Sequence, residues 1–323
     1  MMTPYLLRLL CVCLAAFFVI HLVVGLAVSL GGPAAARAAR RLRPRLAGGL
    51  LLGLRLLPAA LGLFAVGGLC VPSYLWLEPE SGAEEVGAGC LAAAILAAVL
   101  WTVSTVRGVR AAARSARHTR ECKRLGRLST LPGSRRPVWI VDAPSPLLAL
   151  VGVFGSRVVM SSPVATELAA PQLAAALRHE EAHRVSRDNL KRLLMLLAPG
   201  LLPGFHGFDA IERGWARFTE WAADDDAVAG DAGLSLALAA ALVRVARMGG
   251  TPPPSPLVTS FLGDGREIST RVDRLLNPAP AAAVRLPHSA VVAAVAAVAV
   301  ATGCMLHPAA LQSAHRIIER LIH

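Results

Sequence analysis

Four apolar runs constrain this chain more than any other feature, at residues 9–30, within 46–71, at 86–106 and at 289–306. A helix needs about 20 predominantly apolar residues to cross a bilayer, so each run reads as a transmembrane span. Arg55 and Pro58 interrupt the second and leave its limits open. Composition agrees, with 55% of the 323 residues hydrophobic and 17% charged, a balance foreign to soluble domains of this size. The first run is longer than the apolar core of a secretory signal, and five arginines follow it directly, so it is expected to remain as a span.

Charge orients the spans. Arg37, Arg40, Arg41, Arg43 and Arg45 lie between the first and second, whereas the loop 72–85 has no Lys or Arg and carries Glu78, Glu80, Glu84 and Glu85. Basic residues return after the third span, from Arg107 through Arg127. Lys and Arg collect on the cytoplasmic side, so both termini are expected outside and residues 107–286 inside the cell membrane. The segments are then 1–106 with three spans, 107–286 as the cytoplasmic domain, 287–306 with the fourth span, and 307–323 as a short external tail.

The basic residues after the third span recur every three or four positions, so that span is expected to continue into the cytoplasm as a helix with an arginine face. Such a face can rest on anionic lipid or grip an acidic partner, but the ordinary inside-positive bias explains it too. A formal net charge of +12 would suggest nucleic acid in a soluble protein. Here the arginines sit where topology puts them, and no direct nucleic-acid contact is expected. The six cysteines form no CxxC pair, and five lie in or beside apolar runs as small hydrophobes.

Within 107–286 the pattern is α+β. Val138–Val141 is a β-branched run, and 147–154 and Arg157–Ser161 flank a tight turn at Gly155-Ser156. Helices are expected at 169–187, 210–228, 234–248 and 267–276. Residues 190–202 are apolar but broken by Pro199 and Gly200, too short to span, and 249–256 is a Gly/Pro linker.

The chemistry sits at His179-Glu180-Glu181-Ala182-His183. Residues four apart share a helix face, so both imidazoles can point at one ion. Glu180, one position on, can reach a water activated by that ion without ligating it. A zinc ion lowers the pKa of such a water to about 7, and a carboxylate can take its proton. Glu181 has no assigned role. A catalytic zinc site needs a third protein ligand, and Glu220 in Arg217-Phe-Thr-Glu220-Trp-Ala-Ala-Asp224 supplies it. Asp224, one turn later, can orient a ligand imidazole, while Asp225 and Asp226 are expected in solvent. The other histidines have no such company.

The string from His179 through Arg187-Asp188-Asn189, with Glu220 and Asp224 after it and the strand-turn-strand 152–161 before it, resembles the BlaR/MecR-type membrane metallopeptidases. The resemblance is firm over about 146–224. It implies a mainly α membrane protein: four transmembrane helices, with a cytoplasmic α+β gluzincin-like zinc peptidase domain between the third and fourth. It also implies one Zn²⁺ on His179, His183 and Glu220, Glu180 as catalytic base, and Asp224 and Asp188 as hydrogen-bonding support. The implied substrate is a cytoplasmic regulatory protein, repressor-like, or the chain itself; the pattern sets no oligomeric state. The external penicillin-binding sensor of antibiotic-responsive members is not expected here. Two other readings stay open: general membrane proteolysis of the Ste24/HtpX type, and a catalytically silent receptor or scaffold. Arg271 can stabilise a developing oxyanion or lie on a solvated helix face. The strand Arg157–Ser161 is expected to offer an edge to an extended substrate.

Overall fold

The computed structural model describes residues 3–77, 86–131, 134, 136–143, 145–202, 205–249, 257–262, 267–277 and 312. The expected fourth span at 289–306 lies outside the described residues, as does the tail 307–323 apart from Gln312. Segments rich in Leu, Ala and Val fold into helix α1 (Thr3–Ala39), then α2 (Pro44–Ala65), which continues through a π-helical turn (Val66–Cys70) into α3 (Val71–Leu77), and then α4 (Ala88–Leu125).

Three helices, Tyr5–Ala39, Pro44–Trp76 and Ala88–Leu125, are long and apolar enough to cross a membrane, at 35, 33 and 38 residues. Leu10, Val23, Leu63, Ile95 and Val99 are exposed on them, which suits a lipid surround better than water. Each helix is longer than the 20 or so residues a bilayer needs, so each also has a stretch to spare for packing against the rest of the protein. In α4 the buried stripe is Ser104, Gly108, Ala111, Ser115 and Cys122, and the arginines lie outside it, as the helical spacing foretold. A Cβ added at Gly108 would stand 2.4 Å from Leu197 Cδ2, so any larger residue there requires the Leu197 side chain to shift.

Helix α2 also carries Arg55. It is 2% exposed and faces protein rather than lipid. Its Nε donates to Glu212 Oε1 at 2.6 Å. Its Nη atoms donate to the carbonyls of Met195, Ala198 and Pro199 at 3.0, 3.2 and 3.3 Å, and the guanidinium lies over the Phe208 ring at 4.6 Å. Those carbonyls are the unpaired C-terminal groups of α7 (Asp188–Leu197) and its exit, where a cation is favoured. Around this anchor Val28, Ala47 and Leu51 pack on Leu201, Ile211 and Phe218.

A five-stranded sheet follows α4, comprising β1 (Arg127–Ser129), β2 (Val138–Val141), β3 (Leu148–Val151), β4 (Arg157–Ser161) and β5 (Thr259–Ser260) in the order β1-β2-β4-β3-β5. β4 pairs with β2 in parallel and with β3 in antiparallel fashion. This corrects the expectation that β4 offers an edge: it is the central strand, and both its hydrogen-bonding sides are taken. The two outer strands, β1 and β5, are short and were not expected. Gly152 and Gly155, with φ of +95° and +67°, make the β3–β4 turn as the Gly-Ser pair suggested. All four residues of β3 are buried, because helices cover both faces of the sheet. Leu148 joins Met160, Leu173 and Leu238 on one side; Ala149 and Val151 join Val159 and Cys122 of α4 on the other.

The helices of this part are α5 (Ser162–Glu167), α6 (Ala170–Ser186), α7, α8 (Asp209–Val228), α9 (Ala232–Arg247) and α10 (Ile268–Leu276). The helices expected at 169–187, 210–228, 234–248 and 267–276 thus appear within two residues of those limits. The apolar stretch 190–202 supplies the body of α7 as far as Leu197, and α7 lies against α4 and α2.

Candidate metal centre

Helix α6 is built from Ala and Leu up to Arg178 and carries His179, Glu180 and His183, all three 0% exposed. It stops at Arg187, a non-glycine residue in the left-handed region with φ of 55°. The chain turns there and begins α7 at Asp188, which brings the Asp188 carboxylate back onto the preceding turn. Asp188 Oδ2 lies 2.8 Å from His183 Nδ1, and Lys191 Nζ donates to Asp188 Oδ1 at 2.9 Å. Asn189 Nδ2 donates to the carbonyls of Leu150 and Gly152 at 3.2 and 2.9 Å, tying the start of α7 to the end of β3.

Helix α8 packs across α6 and brings Glu220 and Asp224, one turn apart, to the same place. Asp224 Oδ1 approaches His179 Nδ1 to 2.9 Å. The hydrogen bond to Asp188 favours the Nδ1–H tautomer of His183 and frees its Nε2 to donate a lone pair, and the Asp224 carboxylate, close to His179 Nδ1 but off the hydrogen-bonding line, favours the same tautomer by its charge. The two Nε2 atoms are 3.1 Å apart, and Glu220 Oε2 stands 3.5 Å from His179 Nε2 and 3.7 Å from His183 Nε2. An ion with tetrahedral bonds of about 2.0–2.1 Å separates its ligand atoms by about 3.3 Å, so the triangle has the size such an ion needs. The buried trio can hold a metal ion.

Arg271 of α10 is 2% exposed, which excludes a solvated helix face. It grips Asp224 with two hydrogen bonds, at 2.9 Å from Nε and 2.7 Å from Nη2. Nη1 lies 3.2 Å from Glu220 Oε2 and donates to the Phe261 carbonyl at 2.9 Å. The Phe261 ring meets His179 edge-on at 5.4 Å. Arg271 thus braces the third ligand and the support of the first. Asp225 and Asp226, expected in solvent, are surface groups paired with Arg274 and Arg45. Glu181 pairs with Arg184 on the outer side of α6.

The centre is electrostatically tuned. Burial alone would raise Glu220 and Asp224, but His183 and Arg271 hold Glu220 well below its usual range, and Arg271 with His179 holds Asp224 at about 2. Burial pulls His183 down, yet Glu220 and Asp188 outweigh it and lift the imidazole to about 10. Glu180 behaves differently. Both of its oxygens are buried without a hydrogen-bond partner among the described residues, and burial raises it to about 7 against the pull of His179 and His183.

Two measurable consequences follow from this wiring. A histidine ligates as neutral imidazole, and His183 is charged in the metal-free centre at neutral pH. Metal binding is therefore expected to release a proton, with affinity rising up to about tenfold per pH unit until pH approaches 10. Competition against a chelator across this range checks it; a pH-independent affinity contradicts it. Asp188→Asn and Asp224→Asn are each expected to weaken zinc about 10–100-fold, read in the same assay.

No family model, no curated protein and no solved structure matches the chain. The functional reading therefore rests on the residues of the centre. Glu180, His179, His183, Glu220 and Asp224, marked by spacing, converge in one place, as do Asp188 and Arg271. Lys191 and Phe261 were missed. Lys191 carried a signal, since a cation three residues after an acid on a helix pairs with it. Phe261, brought in by a two-residue strand, carried none.

Proposed function

We propose that this chain is an integral-membrane zinc endopeptidase of the BlaR/MecR type, with the zinc domain in the cytoplasm. The observation that carries this is Glu180, fully buried, unpaired and beside a trio of metal-ligand atoms. A buried carboxylate without partners costs stability of about 1–3 kcal/mol or more, and a purely structural site has no use for one. The donor set of two imidazoles and one carboxylate matches catalytic zinc.

When bound, zinc polarises the scissile carbonyl and acidifies water. Glu180 then does the proton work. It takes a proton as the water oxygen bonds to the carbonyl carbon, and hands it to the amide nitrogen as the C–N bond breaks. Burial raises Glu180, which favours a carboxylate that can both take a proton and return it. His179 and His183 are held in place through Asp224 and Asp188. Arg271 is the buried cation nearest the centre, with Nη2 3.5 Å from His179 Nε2, and is assigned the second task of easing the developing oxyanion. Arg271→Lys is expected to keep metal while slowing turnover, whereas loss of metal alone would make Arg271 only a brace.

Substrates are taken to be a cytoplasmic regulatory protein or the chain itself. In support of self-cleavage, β5 pairs with β3 and sets Phe261 against His179, where an extended substrate strand would add. With the histidines and Glu180 fully buried, a substrate would have to displace Phe261 to reach them. The test compares fragments, by mass spectrometry, from purified wild-type chain and from Glu180→Gln, each alone and with an unfolded protein. Fragments from wild type only are expected; identical fragment sets would overturn the proposal.

A further inference from the structure

Helix α6 has a second working face. Ala174, Leu177, Arg178, Glu181 and Val185 recur at i, i+3, i+4, i+7 and i+11, on the side opposite His179 and His183. They line a cleft of about 510 Å³ that Arg136 and Pro137 before β2, Arg157 and Val158 of β4, and Arg45 in the first turn of α2 complete. It therefore lies about one helix diameter, roughly 10 Å, behind the metal centre.

Five arginines line this cleft against two acids. The acids are already engaged, Glu181 with Arg184 and Asp226 with Arg45. Arg136, at the entry to β2, Arg157, opening β4, and Arg178 on α6 have no acidic partner among the described residues. Three unpaired cations around one concavity repel one another and focus a positive potential into it. The inside-positive bias sets a side of the membrane and not a meeting point, and these three are brought to one concavity by a loop, a strand and a helix. Between the guanidinium groups the lining is aliphatic, with Val158, Leu177 and Val185, and no aromatic ring lines the described cleft. A free phosphate would leave that surface uncovered, and a nucleotide base would find nothing to stack on. Both features suit a chain that carries carboxylates and aliphatic side chains together.

We infer that this cleft is a recognition site for an acidic, aliphatic-containing polypeptide segment. Its carboxylates pair with Arg136, Arg157 and Arg178, and its apolar side chains cover Val158 and Leu177. As a means of selecting the protease's substrate it rests on the function proposed above; as a binding site it does not.

The test is fluorescence anisotropy of a labelled decapeptide of alternating Glu and Leu on the full chain in detergent. The chain carries Glu180→Gln, so that nothing is cut. Binding is expected to weaken steeply with salt, to be absent for the Gln-Leu peptide, and to fall tenfold or more, on the order expected for lost charge pairs, in the Arg136→Gln/Arg157→Gln/Arg178→Gln variant. Arg178→Gln alone, at an exposed helix position, is expected to give part of that loss in a chain whose fold is not at risk. Undiminished peptide binding in both variants, or a cleft that binds inorganic phosphate and not the peptide, overturns the inference. Because catalysis is removed, failure here leaves the peptidase reading standing, and an inactive wild type leaves this one standing.

Discussion

Glu220→Ala is expected to lower zinc affinity by a factor of 10² to 10³ or more while leaving the helices intact. Structural zinc sites with four ligands draw roughly 10–16 kcal/mol from the metal, so removing one of three protein ligands costs on the order of 3–5 kcal/mol. Glu220 Oε2 is the corner of the triangle that neither histidine can replace, at 3.5 and 3.7 Å from their Nε2 atoms. The rest of the centre survives the substitution, because Arg271 keeps its two bonds to Asp224. Zinc competition with a chromophoric chelator measures the effect, and His206→Ala, away from the centre, serves as the control. Unchanged affinity in Glu220→Ala would place the third ligand elsewhere.

The second large effect concerns stability. Arg55→Ala removes a buried guanidinium that serves Glu212, three carbonyls at the end of α7 and the face of Phe208. Breaking a buried ion pair by deleting one partner costs about 3–5 kcal/mol. Glu212 is 39% exposed and can rehydrate, so the lower part of that range is expected; the carbonyls cannot, and they set the loss. Glu212→Gln keeps those carbonyl bonds and is expected to cost about 1 kcal/mol. Thermal unfolding of the full chain in detergent, with hydrogen exchange along α7, separates the two. Since α7 begins at Asp188, which holds His183, Arg55→Ala is also expected to weaken zinc, and an undisturbed α7 would contradict the account.

Local pattern carried much of this architecture. The four-residue spacing of His179 and His183, and of Glu220 and Asp224, is a property of one helix turn, and it placed the ligand residues before any contact was known. Val138–Val141 was equally plain as a β-branched run. Relations between distant segments were not visible. The order of strands depends on which edges meet, so Arg157–Ser161 was expected at an edge and lies at the centre. β5 has two residues and no pattern of its own; it exists because β3 offers an edge. Arg55 read as an interruption of a span, because spacing along one helix does not show that the helix meets the end of α7. Arg271 left two readings open, and burial removes the solvated helix face.

The central claim is that the buried trio holds zinc and that this zinc cuts peptide bonds. The most direct measurement is the zinc content of the purified full chain together with its cleavage of an unfolded protein, before chelation, after chelation and after zinc is restored. The account expects about one zinc per chain, cleavage lost with the metal and regained with it, and no cleavage at any stage by Glu180→Gln. A chain that carries no zinc, or one whose cleavage persists through chelation, would contradict it.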